Sequence, residues 1–440
     1  MESEPPPILI SPEGSFAWDV FHRRHPVLIE NLIAALPYGP DQIRSLRALL
    51  DESRSGVIAR LPDGVPDAQQ WQLWDRGHYG KPWSDAPFLW AEGYFFRRIL
   101  EATGYYARNI YATGTYATNT APGADASVTA WAGVDPYGPM KDGELSDPGL
   151  ESAFAWYGAL AGLDPARRFA ALAEAAVLGN RADLVFQVTE VVEGYTAVNP
   201  PLADDTEALW ERLHGGGNDN GNNNGSGDRR SDGSGADGVS ADGGDGFGAG
   251  GAPRIVAFLC DNAGRELITD LLLADELLAT GVAALVELHV KPAPYYISDA
   301  TTADVGKCLA RLRGMAGPLG EAGRRLFARA AAGDLRTLTH PFWCSPLSFH
   351  ELPADLRARL AGRLLFVKGD LNYRRLVGDL RWDPVTPFAD AVAYLGLPVA
   401  ALRTAKSDVI VGVSAEQVAR LDAAEPDWRL NGRHGLIQTA

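Results

Sequence analysis

The sequence predicts an α/β protein: a three-layer α/β/α domain with a largely parallel sheet, preceded by a mainly helical N-terminal region. Three observations carry this. Before residue 214, apolar side chains recur at three- and four-residue spacing. After residue 252, short apolar runs alternate with amphipathic stretches. Between them lies a polar segment poor in large apolar residues. The expected divisions are a helical region over 1–214, an insertion over 215–251 and an α/β catalytic domain over 252–440.

The helical periods fall in FAWDVFHRRHPVLIENLIAALPYG, PFLWAEGYFFRRILEATGYY, LESAFAWYGALAG and RRFAALAEAAVLGNRADL. The insertion reads GGGNDNGNNNGSGDRRSDGSGADGVSADGGDGFGAGG. With Val239 and Phe247 as its larger apolar residues, it buries too little surface to offset its ordering entropy, so disorder is expected there. Beyond it, strands are expected at 254–261, 283–291, 335–340, 363–370 and 408–413. Helices are expected at 264–280, 301–315, 319–331, 385–395 and 415–422. Apolar strands separated by helices argue for a sheet covered on both faces.

Composition narrows the function. The chain has 440 residues, 46% of them hydrophobic and 22% charged, as in a globular enzyme. A net charge of −16 argues against nucleic-acid binding, which needs clustered Lys and Arg. The opening MESEPPPILISPEG lacks the basic and apolar regions of a signal peptide, and no apolar run approaches the ~20 residues that span a bilayer. Three scattered cysteines, Cys260, Cys308 and Cys344, suit a reducing compartment and have no zinc spacing. A cytoplasmic or nucleocytoplasmic protein without membrane or nucleic-acid partners is expected; nothing specifies a protein partner.

In open α/β sheets, ligands bind beyond the carboxyl ends of the strands. The first expected strand runs into Asp261-Asn262, and the second leads through PAPYYISD to Asp299. The fourth ends in Lys368-Gly369-Asp370, and RTAKSD precedes the fifth. Two carboxylates and a carboxamide are hard oxygen donors suited to Mg²⁺ or Mn²⁺. Lys and Arg suit a phosphate. Together they point to phosphoryl chemistry. Taken singly, each has a plainer reading: Asp-Asn as a turn or helix cap, Lys-Gly-Asp as a surface turn, Asp299 as the cap of the following helix. No G-x-x-x-x-G-K-[ST], no G-x-G-x-x-G after a strand and no G-x-S-x-G is present. His289 falls inside an expected strand and reads as a core histidine.

Several stretches, in order, resemble the damage-control phosphatase family, subfamily III, whose members are also described as protein-glutamate O-methyltransferases. They are DNAGRELITDLLLADELL, KPAPYYISDAT, HPFWCSPLSF, KGDLNYRRLVGD, LRTAKSDVIVG and EPDWRLNGRHGLIQ. WAEGYFFRRIL, LGNRADL and DDTEALW extend the likeness into the helical region. The Arg-Thr-x-Lys signature stands at Arg403, Thr404 and Lys406. Departures from the family pattern at Gly93 and Leu178 fall in the helical region and leave the Asp261-Asn262 and Asp299 stretches untouched.

The resemblance implies metal ligands at Asp261, Asn262 and Asp299, which would also be the catalytic centre. It implies substrate contacts at Glu266, Asp370, Leu371, Asn372, Tyr373, Arg374 and Lys406. Glu266 has a second reading, as an acidic residue favoured by the helix N-terminus. The implied reaction is metal-dependent hydrolysis of small sugar phosphates of the fructose 1-phosphate and fructose 6-phosphate type. Mn²⁺ or Mg²⁺ is the expected cation, with Co²⁺ or Ni²⁺ as alternatives. S-adenosylmethionine-dependent carboxyl methylation is the rival reading. The nucleophile is metal-bound water or the Asp261 carboxylate; water is preferred, since a carboxylate holding a cation is a poorer nucleophile.

Overall fold

The computed structural model describes residues 5–106, 130–178, 201–214 and 255–440. The expected disordered insertion at 215–251 lies outside them. The described strands are β1 (Ala203–Asp204), β2 (Ile255–Leu259), β3 (Leu285–Val290), β4 (Leu335–Thr339), β5 (Leu364–Lys368), β6 (Val399–Thr404) and β7 (Gly435–Thr439). They form one sheet in the order β1-β7-β6-β5-β2-β3-β4. Every pair is parallel except β6 with β7.

The described α-helices of eight residues or more are numbered here as α1 (His25–Ala35), α2 (Pro40–Ser55), α3 (Phe88–Thr103), α4 (Gly138–Ser146), α5 (Pro165–Leu178), α6 (Thr206–Leu213), α7 (Arg265–Ala279), α8 (Thr302–Arg313), α9 (Gly317–Ala332), α10 (Gly369–Val377) and α11 (Ala415–Ala424). Alternation along each strand sorts side chains to two faces. Val256, Phe258, Leu364, Phe366, Ala400 and Leu402 join a core with α5, α7, α8 and α9. Ala257, Leu259, Leu365, Val367, Val399 and Ala401 join a second core with α1, α2, α3 and α10. Both faces are therefore covered, which is why the strands read as near-continuous apolar runs.

The helical region is built into this arrangement. β1 extends the sheet by pairing with β7. Helix α5 packs on β6, β7 and α7. The strand expectations at 254–261, 283–291, 335–340 and 363–370 match β2, β3, β4 and β5 within a few residues at each end.

The expected strand at 408–413 is corrected. This run is buried from Val409 to Val411 but irregular. Its backbone groups find other partners. Arg403 donates to Val409 O, Gln438 Nε2 to Val411 O at 2.8 Å, and Val411 N–H to the Tyr373 hydroxyl at 3.3 Å. Gly412 N–H and Val413 N–H bond to Thr386 O and Pro384 O. The fifth and sixth core strands are instead VAALRT and GLIQT.

The order places β2 beside β3 on one side and β5 on the other. The chain leaves β2 toward β3 and β4, then returns to build outward through β5 and β6. Where the winding reverses, the strand ends open a crevice.

Candidate active site

The crevice is built from backbone upward. Past β2, Asp261 O accepts from Ala300 N–H at 2.7 Å, and Ala263 N–H donates to Ser298 O at 2.7 Å. Asn262 and Asp299 pair across an antiparallel bridge. The segments following β2 and β3 are thereby zipped together, which sets Asp261, Asn262 and Asp299 side by side. The turn into this bridge carries positive φ at Tyr296 (43°) and Ile297 (65°). Such angles are costly for side-chain-bearing residues and cluster at functional sites.

Asp261 and Asp299 are 4% and 2% exposed. Asp261 Oδ2 accepts from Asn262 Nδ2 at 3.1 Å, whereas its Oδ1 is buried without a hydrogen-bond partner. Asp299 Oδ2 faces Lys291 Nζ at 3.3 Å but takes no aligned hydrogen bond. Burial, then the charges of Asp299 and Glu266, push the Asp261 carboxyl well above its usual range, with Lys291 opposing. Burial raises Asp299 to about 6 against the pull of Lys291. Asn262 Nδ2 also donates to Glu266 Oε2 at 2.7 Å, while Ser298 Oγ donates to Asn262 Oδ1. Asp299 does not cap α8; Thr301 does, in a reciprocal capping box with Asp304.

The β5 end contributes Gly369, whose φ of 77° and contact with Asp261 exclude any side chain there. Asp370 Oδ1 accepts from Arg403 Nε at 2.9 Å, Lys406 N–H at 3.1 Å and Ser407 Oγ at 3.1 Å. Burial alone would raise the Asp370 carboxyl, but Arg403 and Arg374 outweigh it and hold it below the usual value. This clamp fixes the chain leaving β6 and delivers Lys406. Beneath, Lys368 Nζ sits 3.1 Å from Asp270 and 3.8 Å from Glu266, fully buried.

A cavity of ≈ 320 Å³ lies over these strand ends. Asp261, Asn262, Glu266, Asp299, Asp370, Leu371, Arg374, Thr404 and Lys406 all line it. Among the described residues no three His, Cys, Asp or Glu side chains form a ready metal cluster. The candidate donors are two carboxylates and a carboxamide, all oxygen, of the kind hard divalent cations take. The unpartnered Asp261 Oδ1 amid like charge fits such a cation.

Residues 20–421 match the sequence model of the damage-control phosphatase ARMT1-like domain. The chain belongs to that family. Curated relatives include the damage-control phosphatase ARMT1 of Xenopus laevis, 36% identical over 196 residues, covering 42% of this chain and 43% of the relative. Those of Bos taurus and Homo sapiens are 36% and 33% identical over 189 and 196 residues, with the same coverage. The alignments thus span less than half the length of these relatives. A solved DUF89 family protein from Pyrococcus horikoshii superposes with a TM-score of 0.44 at 12% identity, over 91% of this chain and 94% of that one.

Within this damage-control phosphatase-like chain, the residues singled out from sequence divide into two groups. Nine of them meet at the cavity, as given above. Asn372, Tyr373 and Arg403 do not line it. Asn372 Nδ2 donates to Leu259, Cys260 and Lys368 carbonyls at 3.0–3.3 Å, tying β2 to β5. Tyr373 donates to Gln438 Oε1 at 3.1 Å in the core, and Arg403 clamps Asp370. Sequence reading missed Lys291, although it closes the apolar run of β3 as a lone cation. It also missed Glu92 and the helical run from Phe16 to Leu28, both of which reach the cavity. Periodicity marked these as helix faces but left their burial partner unspecified.

Proposed function

We propose that this chain is a metal-dependent phosphomonoesterase acting on small sugar phosphates, of the fructose 1-phosphate and fructose 6-phosphate type. The observation that carries this reading is Asp261 Oδ1: a buried carboxylate oxygen with no hydrogen bond, beside Asp299, at the sheet's switch point. Asp261, Asn262 and Asp299 would hold a divalent cation, Mn²⁺ or Mg²⁺ with Co²⁺ or Ni²⁺ as alternatives. Once bound, the cation would polarise the phosphoryl group and offset its charge.

The chain's own residues do the positioning. Among the described residues Lys406 makes no side-chain ion pair, so its ammonium is free to meet the phosphate. Arg374 lines the same cavity but is spent on two carboxylates: Asp379 at 2.7 and 3.1 Å and Glu92 at 2.8 Å. Its charge is neutralised in place, and it acts chiefly by holding α10 to α3. Glu266 and Ser298 orient Asn262 from either side. Asp370 orients Lys406 through its backbone. Carboxyl methylation is less well supported. No G-x-G-x-x-G follows β2 to hold a nucleoside cofactor, and a hard-cation site has no role in carboxyl methylation.

The test is phosphate release from fructose 1-phosphate and fructose 6-phosphate with each cation or with EDTA, for wild type and Asp261→Ala. Release that needs a cation and disappears in the variant supports the assignment. No release with any cation, together with methyl transfer from S-adenosylmethionine, overturns it.

A further inference from the structure

One wall of the cavity comes from the N-terminal helical run. Phe16, Val20, Arg24 and Leu28 recur every four residues and present a single stripe to it, with His25 beside them. Within this run Val20–Arg24 is π-helical, and His25 N–H bonds back to Val20 O. Pro26 explains the widening. It has no N–H to give to His22, and its ring crowds that carbonyl, so the preceding turn opens.

His25 is 2% exposed, yet neither Nδ1 nor Nε2 makes a hydrogen bond within the protein. Its ring is stacked on Phe95, centroids 3.9 Å apart at 2°, and stands edge-on to Phe96 at 5.9 Å. Tyr296, from the strained turn after β3, stacks on the same Phe96 at 4.5 Å. Its hydroxyl is also buried without a partner. All three residues line the cavity. Two polar side chains from distant segments thus meet one phenyl ring in the cavity wall, and neither finds a hydrogen-bond partner within the protein. Buried polar groups are nearly always paired, so three open atoms around one cavity call for an outside partner.

We propose that His25 and Tyr296 form a hydroxyl-reading subsite that selects polyhydroxylated phosphate esters over plain ones, with Phe96 against the C–H face of the substrate. This rests on the phosphatase reading above. A neutral imidazole offers one donor and one acceptor, and the phenol one more donor. Burial, then the neighbouring His22, hold His25 down at about 3, so it is neutral at physiological pH. A pair of adjacent hydroxyls satisfies these groups; an apolar leaving group leaves them bare. Sites built to bond a hydroxyl discriminate strongly against ligands that lack one.

The experiment compares kcat/KM for fructose 6-phosphate and phenyl phosphate in wild type, His25→Phe and Tyr296→Phe, each with saturating cation. Both substitutions preserve the ring stacking on Phe95 and Phe96. The expected result is that the ratio of the two kcat/KM values falls tenfold or more in each variant. A ratio unchanged within twofold, whether or not both activities drop, overturns the subsite and leaves the phosphatase assignment standing. If either variant unfolds, calorimetry on His25→Gln or Tyr296→Leu with fructose 6-phosphate decides: unchanged affinity relative to wild type overturns the proposal. Absence of release from any ester by wild type overturns the phosphatase reading, and the subsite with it.

Discussion

A Cβ placed on Gly369 would stand 1.8 Å from Oδ2 of Asp261 and 2.5 Å from its Cβ. The first residue of α10 and the last carboxylate of the β2 segment therefore occupy touching space. Asp261 holds its orientation only because position 369 has no side chain. Gly369 also has φ of 77°, which an L side chain resists. Gly369→Ala is expected to cost roughly 2–4 kcal/mol in urea unfolding and to abolish cation-dependent phosphate release. Retention of wild-type activity would show that Asp261 is not held in place by this contact.

Asp261 and Asp299 place two carboxylates in a buried, like-charged setting. Raised carboxyl pKa values mean that the folded state binds protons more readily than the unfolded state. Without a cation, stability therefore rises as pH falls through about 6, where Asp299 titrates, toward the unfolded value. Removing one charge should mimic this. Asp261→Asn is expected to raise the metal-free melting temperature at pH 8 by several degrees. Mn²⁺ should then stabilise wild type and leave the variant unmoved in a thermal-shift titration.

Lys406 and Arg374 both line the cavity but stand in different circumstances. Lys406→Ala is expected to lower kcat/KM for the sugar phosphate on the order of a hundredfold with little change in melting temperature. Arg374→Met strands Glu92 and Asp379 as buried carboxylates, at a cost of about 3–5 kcal/mol. Denaturation curves beside steady-state kinetics separate the two. Equal destabilisation by both substitutions would contradict the assignment of separate roles.

Glu287, on β3, is 3% exposed and accepts from Arg363 Nε and from Nη2 at 3.2 Å. Burial acts to raise its carboxyl, but the nearby His289 ring, 3.8 Å away, and the hydrogen bonds and charge of Arg363 outweigh it and hold it down at about 2. Its contribution is complete above the unfolded value near 4.5 and fades as pH falls toward 2. The stability gap between wild type and Glu287→Gln should shrink by roughly 1–3 kcal/mol between pH 6 and pH 3. A gap independent of pH would mean that the charge contributes nothing.

Much of the fold was legible from local pattern. Strands such as IVAFL and LLFVK are apolar on both sides because helices cover both faces of the sheet, and their spacing by helical periods implied parallel connections. The ends of β2 and β5 were legible for the same reason: a carboxylate following an apolar run marks where a buried strand surfaces. VAALRT escaped because its alanines carry little β preference. DVIVGV misled because burial and branched side chains are shared by strands and by irregular core segments. What distinguishes the two is where the backbone hydrogen bonds go, and here they go to Arg403, Gln438 and Tyr373.

Sequence alone determined the class of fold, the family and the residue types that converge, because these follow from local periodicity and short contiguous motifs. Tertiary structure decided which of those residues face the cavity. DLNYR is one helical turn and a half, so Asp370, Leu371 and Arg374 reach the crevice while Asn372 and Tyr373 turn into the core. It decided that Arg374 is neutralised by Asp379 and by Glu92, 282 residues away along the chain, whereas Lys406 makes no ion pair among the described residues. It also brought His25 edge-on to Phe96 and stacked Tyr296 on the same ring. Such pairings depend on how helices and sheet dock across long stretches of chain, and no local spacing encodes them.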